Sequence, residues 1–225
     1  MTQSAPRKDI PTLVKDQDLV EKRRRQIVDA AVQLFVRKGF HLTTTREIAR
    51  EAGFSIGTLY EYIESKEDVL YLVCHAIHDA VESRLRQALD RGADGREALA
   101  RAMADYFAVC DAMQDHILLI YQESGSLKPE SRKYVLANEE RVTSIFEDIL
   151  RQGAADGSLK PGGDQAVKLM AHNIAVLGHM WTFRRWFLRR HYTLARFTRL
   201  QTSMILNELS ARDGARPAAA RRSEP

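Results

Sequence analysis

Only two cysteines, Cys74 and Cys110, occur among the 225 residues, and neither stands at metal-ligand or disulfide spacing. That excludes a disulfide framework and marks both as small core residues of a protein kept reduced. Long apolar runs are also missing. No segment approaches the roughly 20 residues a spanning helix needs, and the opening MTQSAPRKDIPTLVKDQ lacks the apolar centre of a secretory leader. The expectation is a cytoplasmic protein that makes no use of a membrane. Strand-like alternation, hairpin turn pairs and internal repeats are absent. So are a nucleophile elbow, a phosphate loop, a metal triad and a paired-carboxylate pattern. Neither an enzyme nor a bound cofactor is expected. His75 and His78 have a spacing that suits a metal, but no third ligand accompanies them, so no metal is assigned.

What is present is ordinary in amount and uneven in placement. Hydrophobic residues make up 44% and charged residues 28%, enough for a core without staples. The net charge of +4 mildly favours an anionic partner. From Asp18 to Asp68, nine basic and nine acidic residues cancel, whereas Arg184 to Leu200 holds six arginines and no acid. Charge alone therefore points away from the segment where the motif lies.

Nearly every segment between the termini has helical period, which predicts an all-α protein of nine helices. Pro6 and Pro11 mark residues 1–17 as a flexible arm, and RDGARPAAARRSEP places a disordered tail at 211–225. The first helix is expected over Asp18 to Lys38, with Ile27, Ala30, Ala31, Leu34 and Phe35 on one face and Gly39 ending it. Arg46 to Ala52 follows, preceded by Thr44 and Glu47 at capping-box spacing. Gly53 supplies a turn, Ser55 caps a third helix reaching Ile63, and Ser65 with Asp68 caps a long fourth from Lys66 to about Leu89. Helices near Arg96–Met113, Asp115–Glu123, Pro129–Gln152, Asp164–Arg190 and Thr193–Leu209 complete the chain. The domains expected are 18–65 and 66–210.

The informative stretch is TTTREIAREAGFSIGTLYEYIESKEDVL, Thr43 to Leu70. Two short helices around a glycine turn make a helix-turn-helix. Ile48, Ala49, Phe54, Leu59 and Ile63 can form its small shared core, leaving the other face of the second helix for the major groove. On that face Ser55, Gly57, Thr58, Tyr60 and Tyr62 are small or hydrogen-bonding. The bland alternative is an ordinary helix pair in an all-α protein. The run Lys22 to Arg25 is read equally as phosphate-binding or as a solvated face.

The pattern AxxAGFSxGTLYxYxxSKExxL, after a helix ending in LFxxxGF, resembles the N-terminal signature of the TetR family of transcriptional repressors. The resemblance covers about 50 residues strictly, and chain length and helix order extend it to the whole. It implies a homodimer that binds a palindromic double-stranded DNA operator and releases it on binding a small effector. It implies phosphate contacts from Tyr60, Tyr62 and Lys66, backbone contacts from Thr44 and Thr45, and base-edge contacts from Ser55, Ile56, Gly57 and Thr58. Lys66 at a helix N-terminus also suits a phosphate on its own physics. Two residues depart from the pattern. Ile63 replaces a usual aromatic, and Ile56 replaces a polar or basic residue, able to touch a thymine methyl or merely to pack.

Over 130 helical residues follow, which in this family form a dimer interface and a ligand cavity. On the eighth helix two adjacent apolar stripes cover about half the circumference, enough to bury two surfaces. Arg184 falls inside that apolar sector. It is read as a clamp on an anionic ligand, or as a side chain that snorkels out or pairs with an acid such as Glu123. WTFRRWFLRR, Trp181 to Arg190, resembles a motif of TetR-type regulators of acyl-CoA catabolism. That resemblance implies an anionic lipophilic effector, an acyl-CoA being the leading class, with Trp181, Arg184 and Arg185 at its site. Tyr106, Tyr121, His172, Asn173 and His179 are the polar groups that pocket would use, although the histidines also fit a polar helix edge. Alternatives are another lipophilic acid, a drug, or no effector.

Overall fold

A computed structural model describes residues 10–89 and 94–210; the side chains of residues 86–89 lie outside the description. Among the described residues there are ten α-helices and no strand. They are α1 (Gln17–Lys38), α2 (Thr45–Glu51), α3 (Ile56–Tyr60), α4 (Lys66–Leu89), α5 (Gly95–Ala112), α6 (Gln114–Glu123), α7 (Pro129–Asp156), α8 (Asp164–Phe183), α9 (Arg185–His191) and α10 (Leu194–Ser210). A single 3-10 turn, Ser124–Ser126, follows α6.

The helix boundaries have local causes. Asp16 accepts from the Leu19 amide to start α1, and Gly39 ends it at φ 85°. The Ser65 amide donates to Asp68 Oδ2 (2.8 Å) and the Asp68 amide to Ser65 Oγ (3.2 Å), a reciprocal cap on α4. Pro129 opens α7 and Gly157, at φ 79°, closes it a turn later than Gln152.

The expected eighth helix is two helices. The chain breaks at Arg184 (φ −103°, ψ 21°), so α8 ends at Phe183 and α9 turns away. Tertiary pairing decides this break: Arg185 Nη1 donates to Asp115 (3.0 Å) and Arg189 Nη2 to Asp111 (2.6 Å), both acids lying on the facing α5–α6 corner. The arginine run is thus opposed in space by acids far away in sequence.

One core runs through both halves, with α4 as its spine, packing on α1, α5, α6 and α7. Gly178 lets α8 approach α5: a Cβ there would stand 2.5 Å from Tyr106 Cε1. The expected arm is partly seated. Ile10 is buried, its carbonyl accepts from Arg24 Nη2 (2.6 Å), and Thr12 Oγ1 donates to the Glu61 carbonyl (2.8 Å). Residues 1–9 of that arm, and the tail 211–225, lie outside the described residues. No helix among the described residues is long and apolar enough to cross a membrane.

Candidate functional site

The helix-turn-helix is built from caps outward. The Glu47 amide donates to Thr44 Oγ1 (3.3 Å) and the Thr44 amide to Glu47 Oε2 (2.9 Å). Lys38 bonds the other carboxylate oxygen of Glu47. The Lys38 bond first, then the Thr44 amide and hydroxyl, hold the Glu47 carboxyl down at about 2. Gly53 takes φ 76° between the helices, and Ser55 Oγ accepts from the Thr58 amide (3.0 Å) to open α3. Ile48, Ala49, Leu59 and Ile63 are buried between the helices.

The outer face carries Thr44, Thr45, Ser55, Ile56, Gly57, Thr58 and Tyr60, all exposed or half-buried. Tyr60 is 49% exposed and its hydroxyl lies 3.0 Å from Thr45 Oγ1, which joins the end of α3 to the start of α2. Ile56 is 37% exposed, so it stands on the outer face and is not core packing. Arg46, also exposed in the first turn of α2, belongs to this surface and was not singled out by its sequence context.

Two residues expected to hold phosphates make their contacts within the protein. Tyr62 is only 4% exposed and its ring packs 6.5 Å from Phe54, because the chain leaves α3 after Tyr60 and turns inward. Lys66 Nζ donates to the carbonyls of Phe40 (2.8 Å), Thr43 (3.0 Å) and His41 (3.3 Å), and sits 4.3 Å from the Phe40 ring centroid. An ammonium has three donors, and all three are spent on the α1–α2 connection. Lys66 thus braces the connection that leads into Thr44 and Thr45. In the basic run, Arg24 likewise turns inward to the carbonyls of Ile10 and Tyr62, while Arg23 lies over the Phe54 ring.

The second half holds a polar cluster inside the bundle. Tyr106, buried on α5, lies 2.9 Å by its hydroxyl from His179 Nε2 and donates to the Ala175 carbonyl (3.1 Å). Tyr121 reaches the other ring nitrogen of His179 at 2.8 Å, yet is 53% exposed. It therefore links solvent to the interior. Burial lowers the His179 pKa, with Glu139 partly offsetting it, and burial raises Tyr106 well above the usual tyrosine range. Deeper, His78 Nε2 meets Glu139 Oε1 at 3.3 Å. Burial raises the Glu139 carboxyl, but the His78 hydrogen bond and the nearby His179 and His172 outweigh it and bring it below the usual carboxylate value.

His78 Nδ1 and both amide atoms of Asn138, which is 1% exposed, have no hydrogen-bond partner. Leaving such groups unpaired costs roughly 1–3 kcal/mol each. Nothing in the wording of the sequence flagged Asn138. Helical phase on α7 would have done so, since it falls between Tyr134 and Val142 on the buried stripe.

Other expected pocket groups lie elsewhere. His172 and Asn173 are exposed, on one face of α8 with Leu169 and Val176. Trp181 is buried and its Nε1 donates to Asp111 (2.7 Å), a structural bond. Arg184 is exposed, its guanidinium 5.0 Å from the Trp186 ring centroid, because the break in the helix removes it from the apolar sector. Arg185 is occupied by Asp115. His75 pairs with Asp79 (2.8 Å) and stacks on Tyr134, so the two histidines of the metal spacing face different partners.

A capped helix-turn-helix with a hydrogen-bonding outer face, joined through one long helix to a bundle with a polar interior, defines a DNA-binding regulator. Two family models match. "Bacterial regulatory proteins, tetR family" covers residues 27–71, and "Tetracyclin repressor-like, C-terminal domain" covers residues 92–190. The HTH-type transcriptional regulator HbdR of Aromatoleum sp. (strain CIB) is 31% identical over 188 residues, 84% of this chain and 81% of that protein. A tetR-family regulatory protein from Rhodococcus RHA1 superposes with a TM-score of 0.73 at 24% identity, covering 84% of this chain and 97% of that one. AibR, in complex with isovaleryl coenzyme A and operator DNA, superposes at 0.67 and 22% identity, covering 81% and 97%. The chain belongs to the TetR family of bacterial transcriptional regulators.

Proposed function

We propose that the chain is a ligand-responsive repressor that binds a palindromic operator as a homodimer and leaves it on binding an acyl-CoA. The observation that carries the effector half of this reading is the Tyr121–His179–Tyr106 relay, which runs from a half-exposed tyrosine to a buried one. A bundle stabilised only for packing has no use for such a polar path through its core. In this reading the acyl part lies inside the bundle, beside these groups. The CoA phosphates stay outside, near the exposed arginines Arg184 and Arg190 of the α8–α9 corner. AibR, of the same fold, holds isovaleryl coenzyme A.

Dimerisation is supported by apolar side chains left outside. Leu169 and Val176 on α8, and Leu200 and Met204 on α10, are 41–65% exposed. They stand at helical spacing and give two neighbouring stripes that a second copy would cover. Each chain has one five-residue recognition helix, α3. Two of them, about 34–36 Å apart, would read successive major grooves.

Coupling runs through α4. Lys66 at its start holds the α1–α2 connection, and His78, twelve residues or about 18 Å along the helix, contacts Glu139 of the polar cluster. A ligand that displaces α4 shifts the recognition helices of the dimer against each other. The experiment is selection of bound sequences from a random duplex library, followed by titration of the selected duplex complex with butanoyl-, octanoyl- and palmitoyl-CoA, with free CoA and the free acids as controls. A two-fold symmetric site, released by a thioester at concentrations where its free acid has no effect, is expected. Enrichment of no palindrome would overturn the dimer reading, and equal action of free acids would overturn the thioester reading.

A further inference from the structure

Resting on the effector reading above, we infer that the ligand carries a hydroxyl group on its apolar part, and that Asn138 and His78 select for it. Asn138 is the most deeply buried polar side chain of α7, and neither its carbonyl oxygen nor its amide nitrogen has a partner. Its neighbour in sequence, Glu139, holds Nε2 of His78 at 3.3 Å, while Nδ1 of the same ring is buried and unpartnered. Three buried hydrogen-bonding atoms at the α4–α7 junction are thus left unused.

Their chemistry is specific. Nδ1, the ring nitrogen that the Glu139 carboxylate does not hold, donates or accepts according to the tautomer. The Asn138 amide both donates and accepts. An alkyl chain offers neither, and an anionic group would face the Glu139 carboxylate. A neutral hydroxyl, which both donates and accepts, can pair with Nδ1 and with one atom of the Asn138 amide. The surroundings agree: Tyr134 lies one turn before Asn138 on α7 and Val142 one turn after, both buried, so the body of the ligand at this depth is apolar. The phosphate-bearing end remains at the surface, where the arginines are. The discrimination follows from burial, since a ligand without the hydroxyl seals these atoms without pairing them, whereas the hydroxylated one relieves them.

The test uses the full-length protein and calorimetric titration with octanoyl-CoA and its 3-hydroxy and 8-hydroxy derivatives, with the three free acids alongside. Wild type should bind one hydroxylated thioester at least about 10-fold more tightly than octanoyl-CoA. Asn138→Leu, similar in volume and apolar, should abolish that preference and raise the melting temperature of the ligand-free protein, because it removes unpaired polar atoms. Octanoyl-CoA binding equal to that of both hydroxylated thioesters would overturn the inference while leaving the thioester reading intact. Preference among the free acids alone would overturn the thioester reading and keep the inference. A lower melting temperature in Asn138→Leu with unchanged ligand preference would show the amide to be structural, and overturn it. Binding of none of the six compounds overturns both.

Discussion

The two halves of the chain treat their polar side chains in opposite ways. In α1–α3 they are paired among themselves at the surface: Thr44 with Glu47, Ser55 with Thr58, Thr45 with Tyr60. The result is a preorganised face above a small apolar junction. In α4–α10 the polar side chains of interest point inward, and at the α4–α7 junction the Asn138 amide and one ring nitrogen of His78 have no partner. A surface that meets DNA gains by being rigid before contact, because ordering costs are then already met by the fold. A site that must respond to a ligand gains by leaving groups that only the ligand completes. The contrast separates reading from sensing within one continuous core.

The largest effect that would sharpen this contrast is expected in the core of the second half. Phe146→Ala removes a fully buried ring packed at 5.4 Å on Tyr106, and should destabilise the protein by about 3–5 kcal/mol in urea unfolding. A loss under 1 kcal/mol would mean that the bundle is loosely packed around the polar cluster.

Lys66→Ala comes next. It removes the ammonium that bonds three carbonyls of the α1–α2 connection, at a cost of about 1.5–3 kcal/mol. Affinity for the selected duplex should fall, while the slope of log affinity against log salt stays unchanged, since the ammonium is engaged by the protein. A slope lower by about one would instead return Lys66 to the set of phosphate contacts.

Thr44→Ala deletes the capping box, at a cost of about 1 kcal/mol, and should weaken DNA binding without altering the melting behaviour of a core variant such as Phe146→Ala by more than simple additivity.

The smallest effect is on pH dependence, and it separates the halves by window. Burial lowers the folded pKa of His179 and of His116. The unfolded chain therefore takes up protons first, and their contribution to stability is present above the ordinary histidine value of 6.5 and lost as pH falls below it. Glu47 is lowered to about 2 from 4.5, so its contribution persists to about pH 4.5 and is lost between there and 2. Circular dichroism of the Trp-bearing second half should report weakening before the capping box yields, and His179→Gln should reduce the first loss. Simultaneous loss of both halves near pH 4 would break the comparison.

Much of the first half was legible because its determinants are local. Capping residues act within four positions, a glycine turn needs only its own φ, and the apolar positions of α1 recur at helical spacing. Even there, the inward turn of Tyr62 escaped the motif, because α3 ends at Tyr60 and helical phase no longer predicts direction beyond it. In the second half, helix order was legible and the site was not. Continuous helical phase placed Arg184 inside the bundle, but the break at that residue, held by Arg185–Asp115 and Arg189–Asp111 contacts across about 70–78 positions, puts it outside.

By itself, then, the sequence determined an all-helical chain, the helix-turn-helix and its caps, since backbone hydrogen bonding, propensity and side-chain periodicity operate over one or two turns. Only the tertiary structure decided which polar groups find partners. Lys66 meets carbonyls 23–26 positions upstream, Tyr106 meets His179 73 positions downstream, and Asn138 meets none. Pairing of buried polar atoms is set by the packing of whole helices against one another, and that packing depends on every residue of the core at once.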